Sequence, residues 1–260
     1  MTMLSYHNDH ALKSRLVGHI EAHRRADEIA RGTYGELDED GKWRGCAVGC
    51  GLRSLDEIEG KQLRVNNPSH KELSDRTGWP LVLCHLQDRI FEGLPTKEAM
   101  LWPTLFARAI PVGADLSLVW PKFAHWLLVD PTAGVIRFAK TDRSREVINN
   151  VAALFKRKVE GGTVTLAEWR TVRSAADAAA ADAADAADAA DAYAAYADAY
   201  AAYAAYAAAY AAYAAAAAAY AAYAAAYAAD AADAADAADA RSRHFKLMAE
   251  ALLRFMAEAA

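Results

Sequence analysis

From residue 175 to residue 240 the chain uses three residue types only: 46 Ala, ten Asp and ten Tyr. No other feature limits the fold as much. Alanine has the highest helix propensity and loses no side-chain entropy on ordering. Neither Gly nor Pro occurs after Gly162. Within each polar type the spacing is dominated by threes and fours and is never two, which excludes an alternating strand. The pattern predicts a helix over 165–255, which would be ~135 Å long at the α-helical rise. Thr165 and Glu168 have the spacing of a capping box at its start. Arg241, Arg243, His244 and Lys246 suit the negative end of the helix dipole. Leu247, Leu252, Leu253 and Met256 then resume an amphipathic pattern. The fold class expected is mainly α. A helical globular domain over 1–162 is followed by a long Ala/Tyr/Asp-rich helical arm over 163–260, coiled-coil-like or folded back as a bundle.

The two polar types in the arm are sorted. Asp182, Asp185, Asp188 and Asp191 stand at one end, and Asp230, Asp233, Asp236 and Asp239 at the other. Between them Tyr196, Tyr200, Tyr203, Tyr206, Tyr210, Tyr213, Tyr220, Tyr223 and Tyr227 recur with a mean spacing that keeps them near one helix face under left-handed supercoiling. Alanines permit close approach of a neighbouring helix, and tyrosine adds contact area with a polar tip. The leading expectation is therefore a non-enzymatic interaction or assembly protein that packs against a protein partner or itself through this stripe. A second account is nucleotide-repeat drift, because Ala-Ala-Asp and Ala-Ala-Tyr units differ by one base. A third is an acidic decoy of a DNA-binding protein. One Asp per ~4.5 Å of helix is sparse beside one charge per ~1.7 Å of duplex.

Charge and cysteine usage narrow the setting. The net charge is −5, from 29 basic and 34 acidic residues. Residues 175–240 hold ten of the acidic residues and none of the basic ones, so the rest of the chain is positive by five. An acidic arm does not suit direct contact with nucleic acid. No stretch reads as a membrane span, and the N-terminus lacks a signal-peptide pattern. Three cysteines, an odd number, fit free thiols in a reducing compartment, so a cytoplasmic location is expected.

Outside the arm, patterning predicts helices over 11–31, 70–77, 80–92, 96–109, 115–129 and 142–159, the last stopped by Gly161 and Gly162. Asp115 is expected to cap the helix at 116–129. Residues 134–138 read as a short extended piece, and Asn66, Asn67 and Pro68 mark a turn. No phosphate-binding loop or dinucleotide fingerprint is present.

Cys46 and Cys50, four residues apart and flanked by Gly45, Gly49 and Gly51, form the candidate chemical site. On a helix they share one face. The pattern fits a thiol nucleophile activated at a helix N-terminus. It also fits two ligands of a zinc site. His23 or His70 would then be the base or the further ligands. His85, Asp88 and Glu92, at spacings of three and four, extend the set. The spacing of the cysteines is not the two-residue gap of common zinc knuckles, and no second cysteine pair exists. The plain reading makes the cysteine loop structural, His23 with Asp27 a solvated pair, Asp88 and Glu92 a surface face with Arg89, and Cys84 a core residue.

Five motifs together resemble an uncharacterised family of bacterial and phage proteins that often end in alanine-rich repeats. They are Tyr6-His-Asn-Asp9, His23 with Ala26-Asp27, Gly45-Cys-Ala-Val-Gly-Cys50, Ile90-Phe-Glu-Gly-Leu-Pro95 and Ile110-Pro-Val-Gly-Ala-Asp-Leu-Ser117. The resemblance covers roughly residues 3–170 by motif order and the tail by composition. It implies a phage or bacterial setting and no particular chemistry.

Overall fold

The computed structural model describes residues 4–65, 69–185 and 234–259. The protein is mainly helical. Its elements are α1 (His10–Arg25), β1 (Glu36–Leu37), β2 (Trp43–Arg44), α2 (Ala47–Glu59), α3 (His70–Thr77), α4 (Leu81–Gly93), α5 (Thr96–Ala109), α6 (Val119–Val129), α7 (Asp142–Val159), α8 (Leu166–Asp185) and α9 (Ala234–Ala257). They belong to two compact units. One comprises Met1–Val119 with Leu252–Ala260, the other Trp120–Ala251.

In the first unit α1 packs on α2 and α5, α3 on α2 and α4, and α4 on α5. Leu16 and Ile20 of α1, Leu52 and Leu55 of α2, and Leu73 of α3 are fully buried, each pair at helical spacing. The N-terminal segment is a clasp. Asp9 caps α1 by accepting from the Ala11 and Leu12 amides. Just before it Tyr6, His7 and Asn8 all have left-handed φ, 53°, 51° and 60°. The buried Tyr6 hydroxyl donates to the Ala107 carbonyl, and its ring stands edge-on to Trp79 at 5.6 Å. Gly78 has φ +72°, and a Cβ there would lie 2.1 Å from the Leu4 carbonyl oxygen. Only glycine lets the end of α3 meet this segment. Tyr6-His-Asn-Asp9 is thus accounted for by packing.

Four local expectations are corrected. The helix expected over 11–31 ends at Arg25, and Asp27 beyond it has a left-handed φ of 55°. The polar stretch after α1 holds a two-residue antiparallel hairpin, with Glu36 opposite Arg44 and Leu37 opposite Trp43. Residues 134–138 are not extended, because Val135–Phe138 forms a 3-10 turn. Asp115 does not cap α6. Its carboxylate accepts from the Ser117 amide in a local turn, and the helix begins at Val119.

In the second unit α7 packs on α8, with Phe155 against Trp169 at 4.8 Å. The capping box forms as expected. The Thr165 amide donates to Glu168 Oε2 at 2.8 Å, and the Glu168 amide donates to Thr165 Oγ1 at 3.2 Å. α8 then runs into the alanine segment, where Ala176, Ala179 and Ala180 are buried and Asp182 pairs with Arg143. In this unit α9 buries Phe245 and Met248 and leaves Leu247 outside; its end from Leu252 belongs to the first unit, where Leu252 and Met256 are buried. The nine tyrosines of the stripe fall in residues 186–233, outside the described residues, and so does the middle of the expected helix over 165–255. Among the described residues no helix is long and apolar enough to cross a membrane.

Candidate functional site

The site is built where the loop after α1 meets the start of α2. Gly45 donates its amide to the Glu28 carbonyl and accepts from the Ala30 amide, and the Cys46 amide donates to the Thr33 carbonyl, all at 2.9 Å. This ladder lays residues 28–34 along the first turn of α2. Gly49 makes the approach possible, since a Cβ there would sit 2.0 Å from the Tyr34 carbonyl oxygen. Gly49→Ala therefore reverses the usual helix rule. Alanine at a helix interior ordinarily gains about 1 kcal/mol over glycine. Here overpacking against backbone is expected to give a net loss of about 1–3 kcal/mol in urea unfolding. Gly51→Ala meets only the Leu73 side chain at 3.2 Å and serves as the tolerated control. Equal stability of the two variants would refute the close approach.

Cys46 is the N-cap of α2, with extended φ −69° and ψ −178°. Its side chain makes no capping hydrogen bond, so the first-turn amides of α2 lack an acceptor from it. The Asp88 carboxylate of α4 is near enough for its charge to act on the thiol. Burial first, and then the charge of Asp88, push the Cys46 thiol up to about 12, against the lowering by the Gly49 and Val48 amides. The thiol is therefore neutral at rest, which corrects the expectation of a thiol activated by the helix terminus alone.

Asp88 connects the thiol to histidine. Its Oδ2 is 3.1 Å from His70 Nε2, the first side chain of α3. Its Oδ1 is buried and has no hydrogen-bond partner among the described residues. His85, three residues before Asp88 on α4, stacks on His70 with centroids 4.1 Å apart and planes at 20°. Burial and the neighbouring His70 hold His85 below the usual imidazole range. The Tyr34 phenol faces the same charges. Asp88 foremost, then burial, Cys46 and Glu92 raise it. Glu92, one turn beyond Asp88, accepts the Gly32 amide and is itself raised by burial.

Cys50 faces elsewhere. Its thiol donates to the Gly45 carbonyl at 3.4 Å, and complete burial raises it well above the ordinary thiol value. Glu28 Oε2 lies 2.6 Å from Nδ1 of the buried His23. The four residues expected to act together thus separate. His70 meets Asp88, whose charge acts on Cys46, whereas Cys50 donates to the Gly45 carbonyl and His23 meets Glu28. Among the described residues no group of three or more His, Cys, Asp or Glu is arranged to hold a metal ion, so Cys46, Cys50, His23 and His70 do not converge as a zinc site. His23 is not paired with Asp27, which meets Arg44 at 3.1 Å. Asp88 is not on a solvated face, since its side chain is only 16% exposed. Cys84 is a core residue, as expected.

Tyr34 and Glu28 escape a reading by spacing. They lie on an irregular loop, and only the ladder to Gly45 and Cys46 brings them to the site. Comparison with family models, curated proteins and solved structures gives no match. The chemistry of the cluster is therefore read from its geometry.

Proposed function

We propose that the protein is a thiol-dependent enzyme of the acyl-transfer class, with Cys46 as nucleophile and Asp88 as its general base. The observation that carries this reading is the row Cys46–Asp88–His70 at the N-terminus of α2. A neutral thiol beside a carboxylate with a free oxygen is set up for concerted attack. The proton passes to Asp88 as sulfur bonds to a carbonyl carbon. His70 holds the carboxylate in place, and His85 fixes the His70 ring by stacking. The first-turn amides of α2, which Cys46 does not cap, are the donors for the negative charge that develops.

Alkylation of the folded protein by a small haloacetamide, followed by peptide mapping, tests the assignment. Cys46 is expected to react first, ahead of Cys50 and Cys84. Asp88→Asn is expected to slow it by roughly 100-fold or more, the usual scale of a lost general base. If Cys46 reacts no faster than the core thiol Cys84, or if Asp88→Asn leaves its rate unchanged, the enzyme reading fails.

Lateral packing through the arm keeps one observation of its own. The first alanine turns of α8 bury Ala176, Ala179 and Ala180, and α8 packs on α7, the close approach that small residues allow. Deleting residues 186–233 and comparing oligomeric state by light scattering tests it. An unchanged mass would remove self-association through the stripe.

A further inference from the structure

Cys50 is left without a role in the row described above, yet it is the nearest thiol to the nucleophile along α2. The Cys50 amide donates to the Cys46 carbonyl at 2.9 Å, so the two residues are one helical turn apart. Helix geometry puts their Cα atoms about 6 Å apart, inside the range that disulfides span. The Cys50 side chain leans toward the helix N-terminus, as helical side chains do. Its sulfur ends at the carbonyl of Gly45, the residue preceding Cys46. Cys46 has an extended backbone and not a helical one, so its side chain is free of the ladder below it. Gly45 and Gly49 put no side chain between the two sulfurs. Glu28 Oε2 lies 2.6 Å from His23 Nδ1. His23 Nε2 is buried with no hydrogen-bond partner among the described residues.

We propose that Cys50 is the resolving thiol of Cys46, and that a hydroperoxide switches the site off by driving a Cys46–Cys50 disulfide. The inference rests on Cys46 being the reactive thiol. In the first step the Cys46 sulfur attacks a peroxide oxygen, an S–O bond forms and the O–O bond breaks. The thiol proton, taken by Asp88, goes to the leaving oxygen to give an alcohol or water. Cys46 is then a sulfenic acid. In the second step the Cys50 sulfur attacks the Cys46 sulfur, the S–S bond forms and the S–O bond breaks. The Cys50 proton leaves with the hydroxide as water. Two thiols and one hydroperoxide give one disulfide, one alcohol or water, and one water, a two-electron oxidation. The disulfide draws the Cys46 sulfur back along α2, away from Asp88, and removes the nucleophile until a thiol reductant restores it.

Trypsin makes the test simple, because Arg44 and Arg53 place both cysteines in the single peptide 45–53 while Cys84 lies in another. The full chain is treated with hydrogen peroxide, alkylated, digested and weighed. Peptide 45–53 is expected to lose the mass of two hydrogens and take up no alkyl group, while the Cys84 peptide is alkylated. Dithiothreitol should restore two alkylatable thiols. In Cys50→Ser the same treatment should leave Cys46 as a sulfenic acid that a cyclic dione traps. If the wild-type peptide keeps two free thiols, or carries added oxygen with no disulfide, the resolving role is wrong, whatever Cys50→Ser does. Rapid haloacetamide labelling of reduced Cys46 without a disulfide overturns this inference and leaves the enzyme reading standing. A reversible disulfide in a protein whose Asp88→Asn variant labels normally does the reverse.

Discussion

Asp56→Ala is expected to cost about 3–5 kcal/mol, the scale of a buried ion pair that loses one partner. It should appear as a large fall in the urea midpoint at neutral pH. Asp56 is in the last turns of α2 and its side chain is only 2% exposed. Arg64 clamps it with two bonds, Nε to Oδ2 at 2.6 Å and Nη2 to Oδ1 at 2.9 Å. Arg76 of α3 adds a third from Nη1 at 2.8 Å. Both arginines also reach Glu72, and Arg76 reaches Glu59. Burial alone would raise the Asp56 carboxyl. The bonds from Arg64 and Arg76 outweigh it and hold the group below its ordinary value. A depressed carboxyl contributes stability at neutral pH and loses it as the pH falls through its folded value. Alanine would leave two guanidinium groups, 19% and 13% exposed, facing a half-neutralised cavity.

The loss should reach the site as well. Asp56 and Glu72 share the same two arginines, so this cluster ties α2 to α3, and α3 begins with His70. In Asp56→Ala the His70–Asp88 contact loses the helix that positions it. The reactivity of Cys46 should then fall along with stability. Unchanged urea stability in Asp56→Ala would mean that water, not protein, solvates these charges.

What could be read from the sequence depended on the range of the interaction. The helices at 70–77, 96–109 and 142–159 were delimited to the residue, because Ser69, Pro95 and Thr141 at their starts and Gly78 and Gly161 at or just past two of their ends act locally. The Thr165–Glu168 box is local in the same way. α6 was misplaced at its start because Asp115 satisfies a neighbouring amide equally well in a turn. The cysteine site was half legible. Spacing showed that Cys46 and Cys50 share a helix turn, but a shared turn is not a shared partner. Asp88 acts on Cys46 across 42 positions of chain, and meets His70 across 18. Neither pairing leaves a periodic trace. Nor does the thiol's resting charge, which is set by burial and Asp88 more than by the helix terminus that the glycine-rich motif advertises.

The second unit carries the other large effect, one that depends on pH. His244 of α9 is 4% exposed, edge-on to Phe138 at 6.3 Å, and its Nε2 has no hydrogen-bond partner among the described residues. Burial first, and then the charge of Arg137, push it down to about 4. Above the unfolded value both states are neutral at this position and no proton is taken up. As the pH falls below about 6.5 the unfolded chain binds a proton that the folded chain refuses. Stability should therefore decline with falling pH across this window. The decline is complete near pH 4, where the folded state also protonates. At about 1.4 kcal/mol per pH unit the full window is worth about 3 kcal/mol. Asp56 acts below the ordinary carboxylate range, so the two limbs separate on a pH axis. His244→Leu, which keeps an apolar side chain in the site, is expected to flatten the limb between pH 6.5 and 4 while changing stability at pH 7.5 by less than about 1.5 kcal/mol. His85 and His125 are also held below their ordinary values and will leave a residual slope in the variant. Hydrogen exchange locates the effect. Amides of 240–251 should lose protection at pH 5 in the wild type and keep it in His244→Leu, since the protonated imidazole destabilises the helix that carries it. An identical pH slope in the two proteins would mean that His244 protonates without unfolding α9.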